Sequence, residues 1–422
     1  MIIVKGARVW RRSGLVEAEV VIEGDRVVEV GTVTAPPGAR VIEARGAILG
    51  PGLVDIHVHL RDPGQTWKED FSTGSMAAVA GGFTAVVAMP NTAPPIDSVK
   101  AVKEVIDRSA EVGLVDIAVA GALTRSREGL EMADFDAMYE AGVRLFTDDG
   151  DSVADSGLLR RIMAYLCDLP RAVVAEHAED RSLTRGGHLN EGAVAASHGI
   201  GGLPAVAEEV VVARDLALAA DTGARLHIQH VSTDGSVSMI RRAKESGLAV
   251  TCEVTPHHLR LDESAVDRLD PNFKMYPPLR TAGDRQALVE ALADGTVDAV
   301  ATDHAPHSVA EKDVPFEEAP RGVIGLETSA SVAWEALNGD AGLFFERLSA
   351  APARIASLDR HGQPVEPGSV ANLVLFDPDR SWKPRSFYSK SSNSPFLGST
   401  LSGRVMATIH EGSVVYEGDA DE

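Results

Sequence analysis

Two histidines one residue apart, His57 and His59, close the apolar run Leu53-Val54-Asp55-Ile56, and Arg61 follows two residues later. Side chains alternate faces on a strand, so all three project to one side. Paired neutral imidazoles on a rigid element are half of a divalent-metal site. The pair alone fits equally well a strand end with two solvated histidines, so the other ligands decide the matter. Such residues recur at the ends of later apolar runs. Asn91 follows Met89-Pro90, Asp148 and Asp149 follow Phe146-Thr147, His177 follows Ala175-Glu176, and His230 follows Ile228-Gln229. His257 and His258 follow Thr255-Pro256, and Ala301-Thr302 leads into Asp303, His304 and His307. Imidazoles and carboxylates in this number suit metal-assisted hydrolysis, in which a divalent ion lowers the pKa of bound water toward ~7.

The elements that must position these residues alternate between strand and helix. Apolar strand candidates are Leu53–Val58, Thr84–Met89, Val115–Gly121, Val143–Phe146, Ala172–Ala175, Arg225–Gln229, Ala249–Val254 and Val297–Ala301. Amphipathic stretches lie between most of them: Phe71–Ala80, Ser98–Ser109, Phe135–Glu140, Ser156–Leu166, Ala205–Ala220, Ser236–Lys244 and Asp284–Leu292. Eight buried strands with intervening helices have the rhythm of a (β/α)8 TIM barrel, whose chemistry sits at the C-terminal ends of its strands. The chemistry-bearing residues fall at those ends. Residues 1–50 and 363–422 instead hold short β-branched runs punctuated by turns. They predict a small β-sandwich domain built from both termini, with residues 51–362 forming the barrel.

The balance of 44% hydrophobic and 24% charged residues is that of a globular chain, and few aromatics (5%) imply a core of small aliphatic side chains. A net charge of -22 makes nucleic acid and anionic membranes poor partners. It leaves an anionic small molecule open, because local cations and a metal can dominate a pocket. Cys167 and Cys252 stand far apart, which argues against thiolate zinc or a disulfide framework and suits a reducing cytoplasm. The opening Met1-Ile2-Ile3-Val4-Lys5 reaches charge too early for a signal peptide, and Ala77 to Met89 is too short to span a bilayer.

The residues Gly50-Pro51-Gly52-Leu53-Val54-Asp55-Ile56-His57-Val58-His59-Leu60-Arg61 resemble the opening motif of the amidohydrolase superfamily, and within it that of the bacterial type I dihydroorotases. The resemblance covers almost the whole chain. It extends through Met89-Pro90-Asn91-Thr92, Phe146-Thr147-Asp148-Asp149-Gly150, Gln229-His230-Val231-Ser232, Thr255-Pro256-His257-His258-Leu259, Pro277-Pro278-Leu279-Arg280 and Ala301-Thr302-Asp303-His304-Ala305-Pro306-His307.

By that resemblance His57, His59 and Asp303 hold one zinc ion, and His177 and His230 hold a second position. Many relatives bridge the two positions with a carboxylated lysine, but no lysine occurs between Lys103 and Lys244. The type I group places an aspartate there, which maps to Asp149; the same residues also read as a turn entering a helix N-cap. Asp303 is implied as the catalytic proton shuttle. Arg61, Asn91 and His307 are implied to clasp the substrate carboxylate, with Arg321 and Gly322 against the ring. Tyr276 stands where the family commonly has a substrate-contacting asparagine, and Arg321 stands where an apolar aromatic is common.

The implied reaction is the reversible cyclisation of N-carbamoyl-L-aspartate to L-dihydroorotate and water, in pyrimidine biosynthesis. Rival readings are a hydantoinase or allantoinase, and a silent scaffold for aspartate transcarbamoylase. The resemblance also implies a homodimer and aspartate transcarbamoylase as a partner. His188, His198, His361 and His410 are expected at the surface or in loops, and His227 is expected to face away from the metal.

Overall fold

The computed structural model describes residues 1–11, 13–33 and 35–418. Eight parallel strands form a barrel: β1 (Leu53–Val58), β2 (Phe83–Ala88), β3 (Asp116–Val119), β4 (Leu145–Phe146), β5 (Val173–Glu176), β6 (Leu226–Ile228), β7 (Val250–Val254) and β8 (Ala299–Val300). Ladders join β1 through β3 and β4 through β8 into two arcs. Bridges from Gly121 to Phe146 and from Val58 to His304 close them into a ring. The interior is filled by small side chains, including Val54, Ala85, Ala120, Ala175, Ala299 and Ala301. Ala353, Ile355 and Ala356 join the same cluster from the short helix Ala351–Ala356.

Helices between and after the strands include α1 (Phe71–Ala80), α2 (Val99–Ala110), α3 (Phe135–Glu140), α4 (Ser156–Cys167), α5 (Val206–Thr222), α6 (Asp234–Glu245), α7 (Ala282–Asp294) and α8 (Leu326–Ala336). Asp70, Asp155, Thr233 and Thr281 cap α1, α4, α6 and α7 by accepting from backbone N–H groups of the first turn. The amphipathic pattern in the sequence does not reveal α8. This helix buries seven of its eleven residues and packs against the strand Leu401–His410, to which Ser331 Oγ donates at Gly403 O (2.5 Å). A helix covered on more than one side loses the polar stripe that a 3.6-residue period needs. No helix among the described residues is long and apolar enough to cross a membrane.

Residues from both ends build one eight-stranded sheet. Its path runs Ser413–Glu417, Leu401–His410, Leu373–Trp382, Ile48–Pro51, Ile2–Arg11, Gly14–Glu23 and Arg26–Gly31, with Arg40–Glu43 also paired to Ile2–Arg11. Ile2–Arg11 serves two neighbours along one edge: Ile2 to Lys5 pair with Arg40–Glu43, while Arg8 and Val9 pair with Ile48 and Leu49. A bridge from Arg26 to Val370 curls the far edge back toward the C-terminal strands around a core of its own. The expected small domain also takes in Arg12, Thr34 and residues 419–422, which lie outside the described residues.

Two of the histidines expected at the surface or in loops, His361 and His410, are buried at the junction of the two parts. His361 Nε2 lies 2.8 Å from Asp116 Oδ2 and His410 Nε2 lies 3.3 Å from Asp116 Oδ1, with the imidazoles parallel. Asp116 opens β3, so this trio joins the barrel to the terminal sheet. His361 lies in a loop and His410 ends the strand Leu401–His410, and neither position records that another layer packs over it.

Candidate active site

The ends of β1, β5, β6 and β8 place four imidazoles and a carboxylate in a tight ring, and the turn after β4 adds a second carboxylate. His57 Nε2 lies 3.1 Å from Asp149 Oδ1 and 3.6 Å from Asp303 Oδ1. His59 Nε2 lies 2.9 Å from Asp303 Oδ1 and 3.4 Å from Asp149 Oδ2. On the other side, His177 Nδ1 and His230 Nε2 are 2.9 Å apart, at 4.0 and 3.8 Å from Asp149 Oδ1. Asp149 therefore stands between the two halves. Two overlapping trios, His57–Asp149–His230 and His57–His59–Asp303, each bring their donor atoms within 4.8 Å of one another. His230 and Asp303 turn off their strands with φ of 31° and 46°, and Arg61 with 59°, left-handed values that non-glycine residues adopt at a cost.

The donor set fits a divalent ion. His57 Nε2 is fully buried with no hydrogen-bond partner, although it points at two carboxylates. Imidazole nitrogens with carboxylate oxygens and no thiolate are ligands for zinc and neighbouring divalent metals. Burial opposes ionisation of Asp149, yet His57, His230 and His59 hold its carboxyl well below the usual range. It is an anion ready to bridge.

A layer of residues beneath the ring sets its orientation. Glu253 of β7 accepts from His57 Nδ1 (2.6 Å) and His227 Nε2 (3.1 Å), which leaves His57 Nε2 free to ligate. His227 thus faces away from the ring, as expected, yet reaches it through Glu253. Asn91 Oδ1 accepts from His59 Nδ1 (2.8 Å), while Asn91 Nδ2 donates to Asp149 Oδ2 (3.3 Å). Asp148 accepts from Leu123 N (2.8 Å) and Thr124 N (3.0 Å), so it pins the turn that carries Asp149. Arg127 donates to the backbone carbonyls of both Asp148 and Asp149. Glu253 and Arg127 escaped sequence reasoning. A lone glutamate inside the apolar run of β7 was the available signal, whereas Arg127 sits in a loop without pattern.

Of the twelve residues to which the resemblance gives a metal or substrate role, eleven line one cleft, and His57 lies just beneath it. Arg61 lies in the wall with its Nε donating to Pro306 O (3.3 Å), and burial lowers its pKa to about 10, so it is still a cation at neutral pH. His307 Nε2 donates to Arg321 O (2.9 Å), and burial with the nearby Arg61, Lys312 and Lys68 cations lowers its pKa to about 2. It is a neutral imidazole. Gly322 has φ 124°, and a Cβ there would come within 2.7 Å of Ala305 Cβ, so only glycine fits.

The two departures from the family pattern meet each other. The Arg321 guanidinium lies 4.1 Å over the Tyr276 ring, and Tyr276 packs against His177 with ring centres 5.1 Å apart and the planes tilted by 35°. Burial, together with Glu179, pushes the Tyr276 hydroxyl up to about 12. His257 and His258 do not line the cleft. His258 Nε2 donates to the carbonyls of Pro277 and Pro278 (both 3.2 Å) and so fixes the backbone beside Tyr276.

Residues 46–236 match the Dihydro-orotase-like family model. The chain is 46% identical over 415 residues to the dihydroorotase of Streptomyces coelicolor, covering 96% of each chain. The chain belongs to the dihydroorotase family. The dihydroorotase of Citrifermentans bemidjiense is 43% identical over 424 residues, covering 99% of each chain. Among solved structures, the L-hydantoinase (dihydropyrimidinase) of Arthrobacter aurescens superposes with a TM-score of 0.88 at 27% identity, covering 99% of this chain and 96% of its own. Dihydroorotase family membership and this likeness make the protein a (β/α)8 metal-dependent hydrolase of cyclic amides.

Proposed function

We propose that this chain is a dihydroorotase that interconverts L-dihydroorotate plus water with N-carbamoyl-L-aspartate. The observation that carries the reading is Arg61, a half-buried cation in the wall of the same cleft as Asp303. A guanidinium there offers planar donors to a substrate carboxylate. A hydantoin ring carries no carboxylate and has no use for it. The full set of ligand side chains argues against a silent scaffold.

His57, His59 and Asp303 would hold one zinc ion, and His177 and His230 a second, with Asp149 between them. A divalent ion so held supplies Lewis acidity toward the ring carbonyl and toward water. Asp303 opens onto the cleft and lies beside His59, where its carboxylate can accept the proton of the attacking water. As the ring C–N bond breaks, Asp303 returns that proton to the departing nitrogen, while the second proton of water stays on the new carboxyl group and is released at neutral pH. Cyclisation runs the same transfers backward. Arg61, Asn91 and His307 hold the carboxylate end, the backbone at Arg321 and Gly322 meets the ring, and Tyr276 closes the wall on the His177 side.

A dihydroorotate hydrolysis assay beside hydantoin and allantoin, with metal content measured on the same sample, tests the reading. Turnover of dihydroorotate alone is expected; zinc-replete protein that turns over only the uncharged rings overturns it. The same proposal includes a homodimer and association with aspartate transcarbamoylase, both supported by the family resemblance. Sedimentation of the chain alone and with that enzyme measures them.

A further inference from the structure

Between the strands Leu373–Trp382 and Leu401–His410 of the terminal sheet, residues 383–400 leave the sheet and run as irregular chain across the catalytic end of the barrel. They contact the loops that carry the site and the first turn of α8. Ser389 Oγ and Lys390 N donate to Glu69, and Ser391 Oγ donates to Lys68 O (2.7 Å), all in the loop after β1. Tyr388 N and Ser389 N donate to the two carboxylate oxygens of Glu327, at 3.0 and 3.1 Å. Asn393 reaches furthest. Its Oδ1 accepts from His307 N (3.1 Å), and its Nδ2 donates to Ala305 O (3.0 Å) and Gly322 O (3.1 Å). Its backbone carbonyl accepts from Ile324 N (3.0 Å).

We infer that Asn393 is a positioning residue for the substrate site, through which the terminal sheet sets the distance between His307 and Gly322. The inference rests on the dihydroorotase reading for what these two residues touch. One amide, 3% exposed, satisfies three backbone groups from two separate segments, 305–307 and 322. The segments meet directly through a single bridge, His304 to Val323, with Ala305 N donating to Val323 O (2.8 Å), and through His307 Nε2 at Arg321 O (2.9 Å). Asn393 is the side chain that ties the backbone of His307 to that of Gly322. Removing the amide strands a buried N–H and two buried carbonyls, which then draw in water or move apart. Asn393 touches neither the metal ligands nor Asp303, so the effect falls on binding rather than on proton transfer.

The test compares full-length Asn393→Ala and Asn393→Asp with Ser391→Ala as a control in the same strap. Asn393→Asp keeps the size and the acceptor for His307 N but loses both donors, so it remains informative if the alanine variant folds poorly. The KM for dihydroorotate is expected to rise about tenfold in Asn393→Ala, with kcat within threefold and zinc content unchanged. Asn393→Asp, whose second oxygen would face the carbonyls of Ala305 and Gly322, is expected to raise KM at least as much, and Ser391→Ala to match the parent. Hydrogen exchange gives a readout independent of turnover: peptides spanning 304–308 and 321–325 should exchange faster in both Asn393 variants, while those of α2 should not. An unchanged KM, or unchanged exchange in those two segments, overturns the inference. Failure of the parent to turn over dihydroorotate would instead refute the function proposed above, and the exchange result would still decide the role of Asn393.

Discussion

Glu253→Gln should weaken the metal centre without unfolding the barrel. Glu253 is 1% exposed and lies beneath the ring, with one oxygen 2.6 Å from His57 Nδ1 and the other 3.1 Å from His227 Nε2. Burial alone would raise its pKa, but His57 and His227 hold it well below the usual range, so it is a carboxylate. Glutamine keeps the shape. Its carbonyl can still accept from His57, and its NH2 can face His227 if that ring moves its proton to Nδ1, 2.8 Å from Thr251 Oγ1. What disappears is the charge that keeps His57 electron-rich at Nε2. Changes to such supporting partners cost about 10–100-fold in metal affinity, or about 1.4–2.7 kcal/mol. Chelator competition at neutral pH should show that loss for zinc, and excess zinc should restore most of the turnover. Zinc affinity within twofold of the parent would refute the reasoning and reduce Glu253 to a packing residue.

Other changes separate the roles of the remaining groups. Asp149→Ala should lower bound metal, because both trios of donors depend on its carboxylate or lie against it; elemental analysis giving the parental metal content would rule it out as a ligand. Arg61→Gln should raise the KM for dihydroorotate by about 10–100-fold, the loss of one or two charge-assisted hydrogen bonds, with metal content unchanged. Asp116→Asn tests the domain junction. Burial pushes Asp116 up, but His361 and His410 more than offset this and leave its pKa below the ordinary value. A lowered carboxylate pKa gives stability that is present above the unfolded value of about 4 and lost as pH falls below it. The Asp116 side chain is 44% exposed, so screening holds the effect to about 1 kcal/mol. Melting at pH 7 should drop by about 2 °C, and the gap between parent and variant should close below about pH 4. Equal melting temperatures at pH 7 would show that the trio holds nothing.

The barrel was legible because its strands are unbroken apolar runs and its chemistry begins where those runs stop. His57, His177, His230 and Asp303 could be found without any knowledge of how the strands pair. What escaped shares one cause: burial created by a second layer, which one-dimensional periodicity does not record. α8 lost its polar stripe under the terminal sheet, and His361 and His410 were covered at the junction. Asn393 belongs to a segment with no period at all, and only the fold reveals that it lies beside His307. Asn91 was recognised, but the sequence could not show that its amide also orients His59 and Asp149.

The composite sheet gives the molecule an unusual order of assembly. Ile48–Pro51 pairs on one side with Ile2–Arg11 and on the other with Leu373–Trp382. During synthesis the first neighbour is present at once, whereas the second appears only after all eight barrel strands have been made. Until then one edge of Ile48–Pro51 lacks its partner, and an unpaired strand edge is a template for pairing with another chain. The residues made last thus seal an edge laid down among the first.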